Sequence, residues 1–248
     1  MLGTAVAAPV TVGQVPAESP SPEAVLAKIV DRYRSRRPLP PFESYTLTRF
    51  QKTARGDVDP NNSYTRHVWL RTSDGAALTR SIGVNGREGE IGFDRPAFNE
   101  PRDPGPPTAD LLAAAGASSG TALPYRADSL TVDGGQLHLR VSALRDKEHN
   151  RVREIFADQN TYALRTLIAT DTLFVARGPT YPVTFTVEMS EVDGIPIVSA
   201  LRGVVGGGYN DDGRQVEYVF SAISFPLSLP DWYFDPKTYR DHRAEAPH

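Results

Sequence analysis

REIFADQNTYALRTLIA, Arg153 to Ala169, reads as two strands around a tight polar turn. Asp158 and Asn160 favour the turn, because their short polar side chains can hydrogen-bond the neighbouring backbone. Tyr162, Leu164 and Ile168 are expected to share one face. The stretch carries no nucleophile paired with a base. It therefore reads as part of a wall and not as the floor of an active site.

Working outward, the same two-residue period recurs. LHLRVSAL sets Leu137, Leu139, Val141 and Ala143 against His138, Arg140 and Ser142. VTFTVEM sets Val183, Phe185, Val187 and Met189 against Thr184, Thr186 and Glu188. Upstream, YTLTRF and YTRHVWLRT begin the run, with Val68 and Leu70 opposite His67, Trp69 and Arg71. Asn85-Gly86 and Asp193-Gly194 mark hairpin turns, and GGGYNDDGR turns into QVEYVFSAISF. Such alternation fits antiparallel strands with one apolar and one polar face, and nothing shows a βαβ rhythm.

Before these strands, Ser21 can cap a helix that has Pro22 in its first turn and Glu23 at the positive end of the dipole. Val25, Leu26, Ile29, Val30 and Tyr33 form its apolar stripe, and Arg37 to Pro41 end it. One interruption breaks the strands. Residues 94–128 are proline-rich, and Thr108 can cap a short helix near 108–115 bearing Leu111 and Leu112. This insertion reads either as a lid or as an ordered crossover. The expected fold class is mainly β (α+β). A curved antiparallel sheet of about 10–11 strands forms a half-open β-barrel, covered by the N-terminal helix and the short inserted helix. Residues 1–20 read as a leader, 21–240 as one β-rich domain, and 241–248 as a polar tail.

Composition narrows the function. The 248 residues are 40% hydrophobic and 23% charged with a net charge of −3, which lacks the electrostatic attraction of nucleic-acid binders. Without cysteine there are no disulfides, thiolate metal sites or cysteine nucleophiles. Ala5-Val6-Ala7 has the small-x-small pattern of a signal-peptide end, so export to the periplasm or cell envelope is expected, with the start of the signal lying upstream. No run of about 18 apolar residues is present, so no transmembrane segment is expected.

Catalytic signals are weak. GASSG, Gly116–Gly120, matches G-x-S-x-G but lacks the preceding strand and following helix that would expose Ser118 on a strained turn. The five histidines His67, His138, His149, His242 and His248 show no ligand spacing. NDDG, Asn210–Gly213, lacks the spacing of a calcium loop, and VVGGGY is no dinucleotide fingerprint. No catalytic residue, metal or cofactor is expected.

Several segments resemble a known family. VLAKIVDRYRSRRPLPPFESYTLTRFQKT is similar to the opening of the periplasmic lipoprotein-localisation carriers, the LolA/LolB-like superfamily, with Phe42, Glu43, Ser44, Tyr45, Phe50 and Gln51 in the matching places. RHVWLRTSDG resembles their following strand, which carries an aromatic-aliphatic pair such as Trp69-Leu70. REIFADQNTYALRTLIA is similar to a hairpin of the outer-membrane lipoprotein-sorting type through Asp158, Thr161 and Tyr162. FPLSLPDWYFDPKTY resembles their ending at Phe234, Asp235 and Pro236. The insertion at 94–128 departs from the simplest pattern, and Arg49, Arg71 and Arg80 are equal contenders for the family's lid-latching arginine. The resemblance implies a half-barrel of about eleven antiparallel strands under helices, binding acyl chains without a cofactor.

The expected function is non-enzymatic binding of a hydrophobic or acyl-bearing ligand, a lipid or lipidated protein, in the bacterial envelope. The alternatives are an envelope protein-interaction module with a filled core and a hydrolase with a site assembled from distant residues. Candidate wall residues are Leu137, Leu139, Val141, Phe185, Val187 and Met189, with Leu111 and Leu112 on a candidate lid. Expected partners are that ligand and an envelope protein, with no nucleic acid.

Overall fold

The computed structural model describes residues 20–34, 40–53, 55–60, 63–82, 89, 91–93, 106–108, 124–145, 151–174, 180–205 and 215–245. Helix α1 (Pro22–Arg34) begins as its sequence predicts. The Ser21 hydroxyl accepts from the Ala24 N–H at 3.2 Å, and the Ser21 carbonyl accepts from Val25 at 3.1 Å. Val25, Leu26, Ile29 and Val30 are buried, while Lys28, Asp31 and Arg32 face outward.

Eleven strands follow: β1 (Phe42–Lys52), β2 (Tyr64–Arg71), β3 (Ala76–Ser81), β4 (Ile91–Gly92), β5 (Tyr125–Asp133), β6 (Gln136–Ala143), β7 (Val152–Asp158), β8 (Leu164–Phe174), β9 (Thr180–Val192), β10 (Ile195–Val205) and β11 (Gln215–Ser224). They form one antiparallel sheet in the order β4-β3-β2-β1-β11-β10-β9-β8-β7-β6-β5. The sheet is open, with β4 and β5 as its edges. It is also strongly curled: Ala77 of β3 and Tyr125 of β5, from opposite ends of the order, join one apolar cluster around α1. The fold is therefore a mainly β half-barrel. The inserted helix near 108–115 and the Asn85-Gly86 turn lie outside the described residues, apart from Thr108 in a turn.

The hairpin at 153–169 forms with one change. Asp158 Oδ1 accepts from the N–H groups of Asn160 (3.1 Å) and Thr161 (2.9 Å), and Tyr162 takes a left-handed backbone (φ 57°). A register shift between Phe156 and Ala157 then turns Leu167 inward, opposite Ile155, in place of Ile168. Leu164 and Leu167 are buried and Ile168 is half-buried. One bulge residue is enough to exchange the two faces of a strand.

A second apolar cluster covers part of the convex face. Trp69 and Leu78 pack there against Tyr233 and Tyr239, which belong to a 3₁₀ turn (Asp231–Phe234) and the short helix α2 (Pro236–Tyr239). Asp235 caps α2 by accepting from the Lys237 N–H at 2.9 Å. His242 stacks on Trp232, with ring centroids 5.0 Å apart. The chain end thus closes over the aromatic side of β2 and β3.

Candidate functional site

The concave face is built from the inward residues of the alternating strands. Cross-strand pairing lines up one continuous row: Arg49 (β1), Tyr218 (β11), Leu201 (β10), Val187 (β9), Leu167 (β8), Ile155 (β7) and Leu139 (β6). A parallel row runs Gln51, Val216, Gly203, Phe185 and Ala169. A Cβ on Gly203 would lie 2.6 Å from the Phe185 ring and 2.9 Å from Val183 and Val216, so glycine there is what lets Phe185 lie across β10.

The six wall candidates occupy two regions of this face. Leu137, Leu139 and Val141 on β6 are buried in the cluster that includes α1, as is Val187 on β9. Phe185 and Met189 on β9 pack against that cluster and stay only partly buried, together with Leu201 on β10. Leu111 and Leu112 lie outside the described residues. Helix α1 packs chiefly on β5 and is tied by its polar side to the hairpin ends. Lys28 donates to the Tyr162 hydroxyl at 3.2 Å, Arg32 donates to the Thr161 carbonyl at 3.3 Å, and Arg32 pairs with Glu191 at 2.9 Å. A helix of this length covers about 20 Å by 10 Å. Eleven strands span about 50 Å around the curve. The helix therefore covers only part of the apolar face.

The row ends in a polar cluster that the sequence did not single out. Arg49 is 7% exposed. It donates to the Tyr218 hydroxyl at 3.3 Å and to Gln51 Oε1 at 3.0 Å. Its guanidinium lies 6.0 Å from the Tyr64 ring, and that of Arg66 lies 5.1 Å from the same ring. Of the three arginines left equal by sequence, only Arg49 takes an inward position. Arg71 binds Asp74 at 2.7 Å and Asp231 at 3.6 Å on the convex side, and Arg80 pairs in register with the outward His67.

A second buried polar group sits at the opposite end of β1. Glu43 is 0% exposed, and the Thr108 hydroxyl donates to its Oε1. Its Oε2 is buried with no hydrogen-bond partner among the described residues. Burial pushes the carboxyl up to about 7, with the Thr108 hydrogen bonds opposing the rise.

The described histidines stay apart, and His149 and His248 lie outside the described residues. His67 meets Ser44 at 2.8 Å and Thr46 at 3.1 Å, and burial lowers its pKa. His138 meets Glu154 at 2.7 Å and stacks on Phe156. Among the described residues no three His, Asp or Glu side chains gather as metal ligands. Ser118 and Asn210–Gly213 lie outside the described residues. No helix among the described residues is long and apolar enough to cross a membrane.

No protein-family model and no curated protein matches the chain. Solved structures similar to it include a LolA superfamily protein from Nitrosomonas europaea, at 10% identity over 88% of this chain and 99% of that one, with a TM-score of 0.44. A DUF1329 family protein from Desulfovibrio piger is 10% identical over 87% and 97% of the two chains, with a TM-score of 0.45. The Mycobacterium tuberculosis lipoprotein LppX is 11% identical over 84% and 98%, with a TM-score of 0.31.

Proposed function

We propose that the protein binds an acyl-bearing amphiphile, a lipid or the lipid anchor of a protein, on the concave face of its sheet, without catalysis and in the cell envelope. The observation that carries this reading is the step from Arg49 through Tyr218 to Leu201, beside Phe185 and Met189, in which cationic and phenolic donors lead directly into apolar side chains that stay only partly buried. An acyl chain would lie along Phe185, Met189 and Leu201, and its polar end would face Arg49 and Tyr218. A guanidinium suits a carboxylate or phosphate, because it offers several N–H donors in one plane. Removing a twelve-carbon chain from water contributes about 10 kcal/mol gross. After an association cost of at least about 4 kcal/mol, retention in the tens of micromolar follows.

The test is native mass spectrometry of the exported chain, followed by solvent extraction and titration with dodecanoic acid and dodecanol. A co-purifying amphiphile, or saturable uptake that Leu201→Asp weakens at least tenfold, is the expected result. Arg49→Met should weaken the acid and leave the alcohol unchanged. A clean apo mass with no uptake of either probe would sink the proposal. The alternative of a filled core with a protein partner draws on the β5–β8 side of the same face, where Leu137, Leu139, Ile155 and Leu167 are already buried with α1.

A further inference from the structure

Strands β10 and β11 do not stay together along their length. Their pairing runs from Ala200↔Val219 to Val204↔Gln215. Beyond it, Ile195–Val198 of β10 pair only with β9, and Phe220–Ser224 of β11 pair only with β1. Both partings coincide with local irregularities. The β9–β10 register shifts between Val198 and Ala200, and β11 carries Ala222 in a left-handed conformation (φ 49°) opposite the shift between Ser44 and Thr46. Bulges bend the strand that carries them, and here they open a gap between two central strands.

Pro106, Pro107 and Thr108 fill that gap. The Val198 N–H, directed away from β9, donates to the Pro107 carbonyl at 2.7 Å, so Pro107 takes the place of β11 as the partner of β10. On the other side of the gap, the Thr108 hydroxyl donates to Glu43 of β1. Pro107 and Thr108 are buried. The two prolines present no N–H of their own, so among the described residues the segment is held by the Pro107 carbonyl and by the Glu43 carboxyl. We infer that Pro106–Thr108 is a pH-sensitive strap that closes the gap between β10 and β11 and keeps water from Glu43, so that the open form, in which water solvates the ionised carboxylate, gains population as pH rises.

The groups acting on Glu43 are its burial and the hydroxyl and N–H of Thr108. Across β2 it faces Leu70, which in turn pairs with Ala77 of β3. On β10 the strap contact is Val198. The nearest strand cation in sequence register, Arg71, lies on the convex side with Asp74 and Asp231. Among the described residues, therefore, no charged side chain compensates an ionised Glu43. Its carboxyl titrates near 7 when the strap is seated and in the ordinary glutamate range when water reaches it. By linkage, the opening equilibrium rises about 50- to 100-fold between pH 5 and pH 8. The device would admit solvent or ligand to the apolar face from its strand-end side, but its operation does not depend on what binds there.

The test is amide hydrogen exchange on the full chain, without ligand, corrected for the intrinsic pH dependence of exchange. The Val198 amide is expected to lose protection about 50- to 100-fold from pH 5 to pH 8, and at each pH to be less protected than the core amides of β8 and β9, which exchange only when the whole fold opens. In Glu43→Gln the Val198 protection should become flat with pH. In Thr108→Val it should already be lowered at pH 5. A flat wild-type profile, an unchanged slope in Glu43→Gln, or Val198 protection equal to that of the core amides at every pH would each overturn the inference. Should Glu43→Gln not fold, the wild-type profile and Thr108→Val decide alone, and normal protection in Thr108→Val would refute the strap.

Discussion

Replacing Glu43 by glutamine should make the folded protein more stable at pH 8 and less stable, by about 1–2 kcal/mol, at pH 4.5. Glu43 is wholly buried, and its folded-state value is raised from 4.5 to about 7. A raised carboxyl pKa means the folded state holds the proton more tightly than the unfolded chain. Below pH 4.5 both states are protonated and the group costs nothing. Between pH 4.5 and 7 the unfolded chain ionises first, so stability falls as pH rises, and above about 7 the full cost is present. At about 1.4 kcal/mol for each pH unit of displacement, that cost is about 3 kcal/mol. Glutamine keeps an acceptor for Thr108 at the Oε1 position. It also places an NH₂ where Oε2 has no hydrogen-bond partner among the described residues, which costs about 1–2 kcal/mol. The net gain at pH 8 is therefore about 1–2 kcal/mol, or a rise in Tm of about 2–8 °C for a chain of this size. Urea unfolding at pH 4.5, 6, 7 and 8, with slopes checked for constancy, measures it directly. Parallel stability profiles for the two proteins, or a glutamine variant less stable at pH 8, would show that Glu43 is not a buried carboxyl of raised pKa.

Three further outcomes follow from the packing. Gly203→Ala should destabilise by about 1–3 kcal/mol, because its methyl group would overlap Phe185, Val183 and Val216; chemical denaturation gives the value, and a neutral result would mean that Phe185 does not lie over β10. Trp69→Ala should cost about 3–5 kcal/mol through the convex cluster with Leu78, Tyr233 and Tyr239, while uptake of an acyl probe by the folded variant stays unchanged. The Asp158 carboxyl is held below its usual range by the Thr161 N–H and hydroxyl. Asp158→Ala should thus remove part of the stability present above pH 4 and flatten its loss in acid, which thermal melts between pH 2.5 and 6 will register.

The local elements were legible because short-range chemistry writes them into the chain. Ser21 and Pro22 announced α1, and the apolar period of two announced β6 and β9. Asp158 and Asn160 announced the turn of the β7–β8 hairpin. From alternation alone it followed that one face had to be covered, and hence that an antiparallel sheet would curl. Alternation also put Phe185 and Met189 on the same face as Leu137 and Leu139, but it could not say that α1 buries the second pair and leaves the first partly open. That difference depends on how far the sheet curves and how much of it a helix of fixed width can reach. The inward shift of Leu167 depends on a bulge that leaves no periodic trace. Arg49 looked like Arg71 and Arg80 until the strands were laid side by side with Tyr64 and Tyr218. The contact of Glu43 with Thr108 joins residues far apart in sequence across a gap that exists only because β10 and β11 bend apart. Period and capping are properties of neighbouring residues, so the sequence by itself determined α1 and the faces of strands such as β6 and β9, but not that of β8 beyond its bulge. Burial, curvature and the pairing of distant side chains belong to the whole sheet, so only the tertiary structure decided where the polar row ends, which apolar residues stay open, and what closes the gap.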